Sequence, residues 1–246
     1  MSLRHHEIAE ADHRILNPFT DDKLALLGTV CRLRPGQRLL DLACGKGEML
    51  CRWAADHGVT GVGVDLSEVF LSAAHERARE LGVADRVTFV SGDAAAYRAE
   101  PAGFDVVSCL GATWIGDGLA GTLELMRPAL RDDGLLLVGE PYWIGAPPPE
   151  AYQAVGLRRE DFTTLAGTLD RFTAAGAELV EMVLADGDSW DRYVASQWWT
   201  IDRWLRANPT DPDTPAMREF LDRARDSHLR YQRDFLGWGV FVLRLR

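Results

Sequence analysis

From Gln37 onward the chain alternates short apolar runs with longer stretches of helical periodicity. The runs fall at 38–42, 60–64, 86–90, 104–108 and 135–139, and each is rich in Val, Leu or Phe. Strands covered by helices on both faces read this way, because neither face meets water. The alternation predicts βα units and a mainly parallel sheet. Helix ends support the segmentation. Ser67 is placed to cap a helix that ends before Gly82, and Gly58 closes one that begins near Lys46. A further helix opens at Asp117 or Gly118 and runs to about Leu130, before an Arg131-Asp132-Asp133-Gly134 turn. Upstream, 7–16 and 21–33 read as two helices parted by Asn17-Pro18, with Thr20 as the second cap.

Beyond the fifth run the alternation loosens. Pro147 to Pro149 mark an irregular loop, 161–175 reads as a helix, 178–184 as a sixth strand and 239–245 as a seventh. The intervening stretch reads as two helices broken between Asn208-Pro209 and Pro215. An insertion there is expected to be a functional lid rather than a linker. The organisation expected is therefore one domain over 1–246: an N-terminal helical cover (1–34), a nucleotide-binding core (35–184), a helical lid (185–236) and a last strand (237–246).

Composition narrows the partners. Hydrophobic residues are 47% and charged residues 26% of 246, as in a protein able to bury a sizeable core. The net charge of −10 repels phosphate backbones, so nucleic acid is not the expected partner. No apolar run approaches a membrane span; the best, 135–138, is flanked by glycines. The opening MSLRHHEIAE lacks the apolar core of a signal peptide, and a cytoplasmic location is expected. Cys31, Cys44, Cys51 and Cys109 form no CxxC pair and stand at no metal-ligand spacing with histidine, so reduced thiols and no metal are expected.

The sharpest local signal is LLDLACGKGEML, residues 39–50. A strand ends at Asp41, a tight loop carries Gly45 and Gly47, and a helix follows at once. Glycines allow close backbone approach, and the free N–H groups of a helix start attract an anionic group. Twenty residues after Gly45, GVGV ends in Asp65, and a carboxylate there can accept both hydroxyl protons of a ribose. Asp93, in SGDA after the third run, is placed to receive an adenine amino group. These acids describe an adenosine ligand across the strand tips, the alternative being that they cap local turns. Leu50 stands where a dinucleotide fingerprint has its third glycine, which disfavours a pyrophosphate cradle. The acid four residues before the first glycine suits a ligand bearing an ammonium group.

DLACGKG, GVGVDLS, VTFVSGDA, FDVVSCLGATW and LRDDGLLLVGE together resemble the class I S-adenosylmethionine-dependent methyltransferases over nearly the whole chain. GEPYW (139–143), WDRY (190–193), RWLRANP (203–209) and GWGVF (237–241) resemble a narrower bacterial group, the YjhP type. The resemblance implies a Rossmann-like α/β fold: a seven-stranded, mainly parallel sheet with its last strand antiparallel, helices on both faces and an extra helical cover. It implies S-adenosylmethionine as cofactor and S-adenosylhomocysteine as product. Asp41, Gly45 and Gly47 would hold the methionine portion, with Ala43 in the same loop where many members have glycine. Asp65, with Leu66 beside it, would hold the ribose, and Asp93 with Ala94 the adenine. Cys109 would approach the amino group through its backbone.

Methyl transfer from a sulfonium needs alignment above all, and a base only where the nucleophile arrives protonated. Three residues are candidates for catalytic roles. Glu140, at the end of the fifth strand, can orient a substrate or accept its proton, or be a hydrogen-bonded strand-end carboxylate. Tyr142 follows it. His13 is either a proton acceptor on the first helix or a surface histidine. For substrate contact, Trp143 adjoins Tyr142, and the 190–205 segment offers two helical stripes. Trp190, Val194, Trp198, Ile201 and Leu205 are expected to pack against the sheet. Tyr193, Gln197, Thr200 and Trp204 mix aromatic and polar groups and suit a pocket wall. By resemblance, CLGATW in place of an Asn- or Asp-led diproline tetrapeptide argues against nucleobase and protein amide amines. The reading is methyl transfer to a small-molecule acceptor. The alternatives are an NAD(P)-dependent oxidoreductase, a protein that binds S-adenosylmethionine without transfer, and one that transfers another of its groups.

Overall fold

The computed structural model describes residues 2–246. Seven strands form a single sheet: β1 (Arg38–Leu42), β2 (Thr60–Asp65), β3 (Val87–Ser91), β4 (Phe104–Leu110), β5 (Leu130–Trp143), β6 (Ala177–Leu184) and β7 (Leu236–Leu245). Their order is β3-β2-β1-β4-β5-β7-β6. All pairs from β3 to β5 are parallel, and β7 runs antiparallel between β5 and β6. The order reverses at β1, between β2 and β4, which opens a crevice at the carboxyl ends of those strands.

Among the described residues nine helices of seven or more residues accompany the sheet: α1 (Leu3–Ala9), α2 (Asp21–Val30), α3 (Glu48–His57), α4 (Glu68–Glu80), α5 (Leu119–Met126), α6 (Pro149–Val155), α7 (Leu165–Ala174), α8 (Gly187–Ala207) and α9 (Thr214–Ser227). Leu24 and Leu27 of α2, Trp53 of α3 and Leu71 of α4 pack with Leu39, Val106 and Leu137 on one face of the sheet. Leu123 and Met126 of α5 and Phe172 of α7 pack with Leu40, Val107 and Leu136 on the other. Alternate strand residues thus feed opposite cores, as the pleat requires. A third cluster lies off the sheet, where Ile201 and Leu205 of α8 meet Met217 and Leu221 of α9 and Ala9 of α1.

Several boundaries depart from the sequence reading, each for a physical reason. The first helix occupies 3–9 rather than 7–16; it is capped by the Ser2 hydroxyl and ends where the Glu10, Ala11 and His13 carbonyls turn to the Lys46 ammonium. The second stops at Val30, and α5 at Met126. The fifth strand begins at Leu130, because 131–134 is an irregularity within the strand, with Asp133 at φ 61°, rather than a turn before it. Pro149 opens α6 where a loop was expected, and α7 starts late, at a Thr164 cap. After α9 comes an unexpected π-helical turn, His228–Gln232. The apolar stripe of α8 divides. Trp190 joins the core at the sheet, whereas Trp198, Ile201 and Leu205 face the third cluster.

Candidate functional site

The loop between β1 and α3 is shaped by left-handed residues. Gly45 and Gly47 have φ of 55° and 64°, and Ala43 adopts 59° without being glycine. That explains why glycine suits position 43: alanine carries the steric penalty of a Cβ in this region. A side chain at Gly47 would stand 2.6 Å from the Phe89 ring, and one at Gly45 would stand 2.7 Å from Leu16. The loop is therefore packed between β3 and the N-terminal segment.

Three acids converge on a cavity of about 410 Å³ at the strand tips, whose wall includes Asp41, Ala43, Gly45, Asp65, Leu66, Asp93 and Ala94. Asp41 is 4% exposed and accepts a hydrogen bond from the Ser108 hydroxyl at 2.7 Å. Burial raises its pKa to about 7, with the Ser108 bond opposing and the Asp65 charge adding to the rise. Among the described residues no cation pairs with it, so an ammonium group of a ligand would restore its charge. Asp65 already accepts from the Gly45 and Ser67 N–H groups at 2.8 and 2.9 Å, fixing the loop and the start of α4. It has the turn-capping role and lines the cavity as well. Asp93 is exposed and accepts from Ala95 N–H at 2.9 Å. An amino-acid ammonium near Asp41 and a nucleoside along Asp65, Leu66 and Asp93 fit this donor set.

Gly47 and Cys109 stand outside that lining. Gly47 begins α3 behind the loop, and Cys109 is wholly buried, while its neighbours Leu110, Gly111 and Ala112 carry the β4 tip into the cavity.

The cavity has a roof. Residues 2–16 lie over the glycine loop, held by Lys46, whose ammonium donates to the carbonyls of Glu10, Ala11 and His13 at 2.8, 2.9 and 2.6 Å. Glu7 accepts from Ser67 at 2.6 Å. Glu10, 1% exposed, joins His13 Nδ1 at 2.7 Å and accepts from the Tyr193 hydroxyl at 2.6 Å and the Gln197 amide at 2.7 Å. Burial works against its ionised form, yet His13 and Tyr193 hold its pKa below the ordinary carboxylate value. Asp12 in turn accepts from Thr200 and Arg203. Lys46 and Glu10 escaped the sequence reading, although Lys46 sits between the two loop glycines.

The substrate and catalytic candidates scatter. Of the polar stripe of α8, only Tyr193 reaches the cavity. Gln197 is occupied by Glu10 and Thr200 by Asp12, and Trp204 packs into the third cluster, so this face docks the N-terminal segment instead of forming an open pocket wall. His13 is neither a free base nor a surface group: its Nδ1 meets Glu10 and its Nε2 meets Ser196. Tyr142 is buried in the core beside β7. Trp143 is buried against Tyr152, ring centroids 5.1 Å apart, and Phe162.

Glu140 lines a second cavity, of about 780 Å³, with Thr113, Trp114, Leu119, Phe162 and Arg171. Trp114, 73% exposed on the short 3₁₀ turn after β4, borders both cavities. Glu140 itself is 3% exposed. Burial raises its pKa to about 7 although Arg171 pulls the other way.

Comparison with known proteins agrees with this geometry. The model of a methyltransferase-domain family matches residues 39–134. Escherichia coli YjhP, an uncharacterized protein, is 49% identical over 241 residues, 97% of each chain. A crystal structure of a SAM-dependent methyltransferase from Geobacter sulfurreducens in complex with S-adenosyl-L-homocysteine superposes with a TM-score of 0.95 at 48% identity, covering 100% of this chain and 99% of that one. Another from Thiobacillus denitrificans, with the same ligand, does so at 46% identity and 0.95, with the same coverage. These matches set the nicotinamide-dinucleotide alternative aside. The chain belongs to the class I S-adenosylmethionine-dependent methyltransferases, in the group that includes YjhP, and S-adenosylmethionine is its methyl donor.

Proposed function

We propose that the protein methylates a small-molecule acceptor in the cytoplasm and that nucleic acid is not its substrate. The observation that carries this reading is the roof over the first cavity: the Lys46 and Glu10 bonds hold residues 2–16 across the strand tips. A duplex or a folded protein would have to displace that segment, whereas a small molecule fits within the cavities that Trp114 lines. The net charge of −10 favours the same reading. No described helix is long and apolar enough to cross a membrane.

When bound, S-adenosylmethionine supplies an electrophilic methyl group on a sulfonium. In this reading Asp41 pairs with its ammonium, Ala43, Gly45 and Gly47 shape the loop around it, and the backbone near Cys109 borders it. Asp65 and Leu66 take the ribose side, and Asp93 and Ala94 the adenine. Tyr193 closes the wall from α8, the helical segment 185–236 serves as a lid, and the chain works as one domain. Glu140 orients the acceptor and takes its proton. Exclusion of water by the roof strengthens the Asp41 charge pair.

Incubation of a bacterial extract with the protein and methyl-labelled cofactor, followed by ultrafiltration, tests the acceptor class. Label is expected in the filtrate. Label retained with macromolecules, and released by nuclease or protease, overturns the reading.

A further inference from the structure

The second cavity has features that a groove between helices does not need. At its buried side lies the Glu140 carboxyl, whose Oε2 finds no hydrogen-bond donor among the described residues. Thr113 hydrogen-bonds to the carboxyl, but a buried oxygen left without a donor costs free energy unless a ligand completes it. The groups facing it are mixed in charge: Asp117 after the 3₁₀ turn, Arg158, Glu160 and Asp161 on the 157–162 segment, and Arg171 from α7. Arg158 is bound to Asp161 at 2.9 Å. Arg171 donates only to the Asp161 and Glu160 carbonyls, at 3.1 and 2.7 Å, so its positive charge is fixed in place without a carboxylate on it. Trp114 and Phe162 add aromatic surface, with Leu119 and Leu157 beside them.

We propose that this cavity is the acceptor site and that it takes a flat, unsaturated molecule bearing an acidic hydroxyl, phenolic or enolic, which hydrogen-bonds to Glu140 and meets the cofactor past Trp114. The inference rests on the methyltransferase reading above and adds the class of acceptor. The Arg171 charge acts on Glu140, and the same charge stabilises an acceptor oxygen as it loses its proton. Glu140 exchanges a proton readily near neutrality, because burial has moved its pKa to about 7. In the transfer the acceptor O–H bond breaks and its proton passes to the Glu140 carboxylate. The oxygen forms the new bond to the methyl carbon, and the carbon–sulfur electron pair stays on sulfur as its positive charge is lost. Trp114 lines both cavities, so in this proposal the acceptor approaches the methyl group past that ring and not through the N-terminal roof.

Binding tests this directly, without turnover. The full chain, with S-adenosylhomocysteine present, is titrated with 4-nitrophenol, catechol and 2-naphthol, with their methyl ethers, and with benzylamine, and tryptophan fluorescence is followed. The phenols are expected to bind roughly tenfold or more tighter than their ethers, as a hydrogen bond to a charged group implies. Glu140→Gln should shrink that preference and Glu140→Leu should abolish it, with S-adenosylhomocysteine affinity unchanged in both. If Glu140→Leu does not fold, the glutamine variant alone decides. The proposal is overturned if no phenol binds to wild type that binds S-adenosylhomocysteine, if benzylamine is preferred, or if the phenol preference survives in the variants. Failure of wild type to bind S-adenosylhomocysteine would instead overturn the assignment of the cofactor cavity on which the proposal rests.

Discussion

Replacing Asp41 with asparagine is expected to stabilise the ligand-free protein above neutral pH while removing cofactor binding. Burial moves this carboxyl from an ordinary pKa of 3.8 to about 7, against the Ser108 hydrogen bond and with the help of the Asp65 charge. A folded-state pKa above the unfolded one favours folding fully below pH 3.8, and that advantage disappears as the pH rises to about 7. At about 1.36 kcal/mol per pKa unit, the whole interval corresponds to about 4 kcal/mol. Asparagine cannot ionise, and its carbonyl still accepts the Ser108 bond, but burying its amide costs about 1–2 kcal/mol. A net gain of about 2–3 kcal/mol at pH 8 follows, or a melting temperature higher by roughly 5–10 °C in a chain of this size. At pH 4 the gain should become a small loss. Calorimetry from pH 4 to pH 8, with and without S-adenosylhomocysteine, measures both halves of the prediction. Wild type should be stabilised by about 2.7 kcal/mol at a hundredfold excess over the dissociation constant, and the variant should not. The wild-type effect should weaken as Asp41 takes up its proton below about pH 7. A variant that melts no higher than wild type at pH 8, or that keeps its response to the ligand, refutes the role given to Asp41.

Lys46→Met keeps the aliphatic stem and removes the bonds to three carbonyls. Limited proteolysis should then cut within residues 10–16, and S-adenosylhomocysteine should dissociate roughly tenfold faster; an unchanged cleavage pattern counts against the roof. Gly47→Ala meets both a φ of 64° and the Phe89 ring at 2.6 Å. The left-handed backbone alone costs about 1–2 kcal/mol, and the contact adds to it, so a melting temperature within about 1 °C of wild type would contradict the loop geometry.

The sheet was legible because its strands announce themselves by burial on both faces. Runs such as 38–42 and 104–108 allow little else, and Ser67, Gly58 and Gly82 marked helix ends where the structure has them. The acids at Asp41, Asp65 and Asp93 could be placed because they sit at or just beyond the carboxyl ends of their strands. What could not be read was the partner of each face. Periodicity put Tyr193, Gln197, Thr200 and Trp204 on one side of α8 correctly, but a polar-aromatic stripe suits a ligand and a buried chain segment equally. Here the occupant is Glu10 and Asp12, far away in sequence. Residues 10–16 kept a helical pattern and lost the helix to one lysine 33 to 36 positions away. The 131–134 stretch has turn composition, yet strand pairing resumes across it.

The same long-range bonds tie the roof to the floor. Lys46 belongs to the glycine loop, its three acceptors belong to the N-terminal segment, and Glu10 carries the connection onward to Tyr193 of α8. Asp65 holds the loop at Gly45, so cofactor loop, roof and α8 form one hydrogen-bonded assembly. The first cavity therefore has Trp114 on one wall and the segment held by Lys46 on another. Desolvation lowers the Lys46 pKa against the pull of Glu10 and Asp12, a sign that the ammonium is held away from water by these contacts. The lining of the second cavity includes none of the residues of this assembly and shares Trp114 with the first. Such a division suits a reaction in which a reactive sulfonium must be shielded from water while acceptors and methylated products come and go.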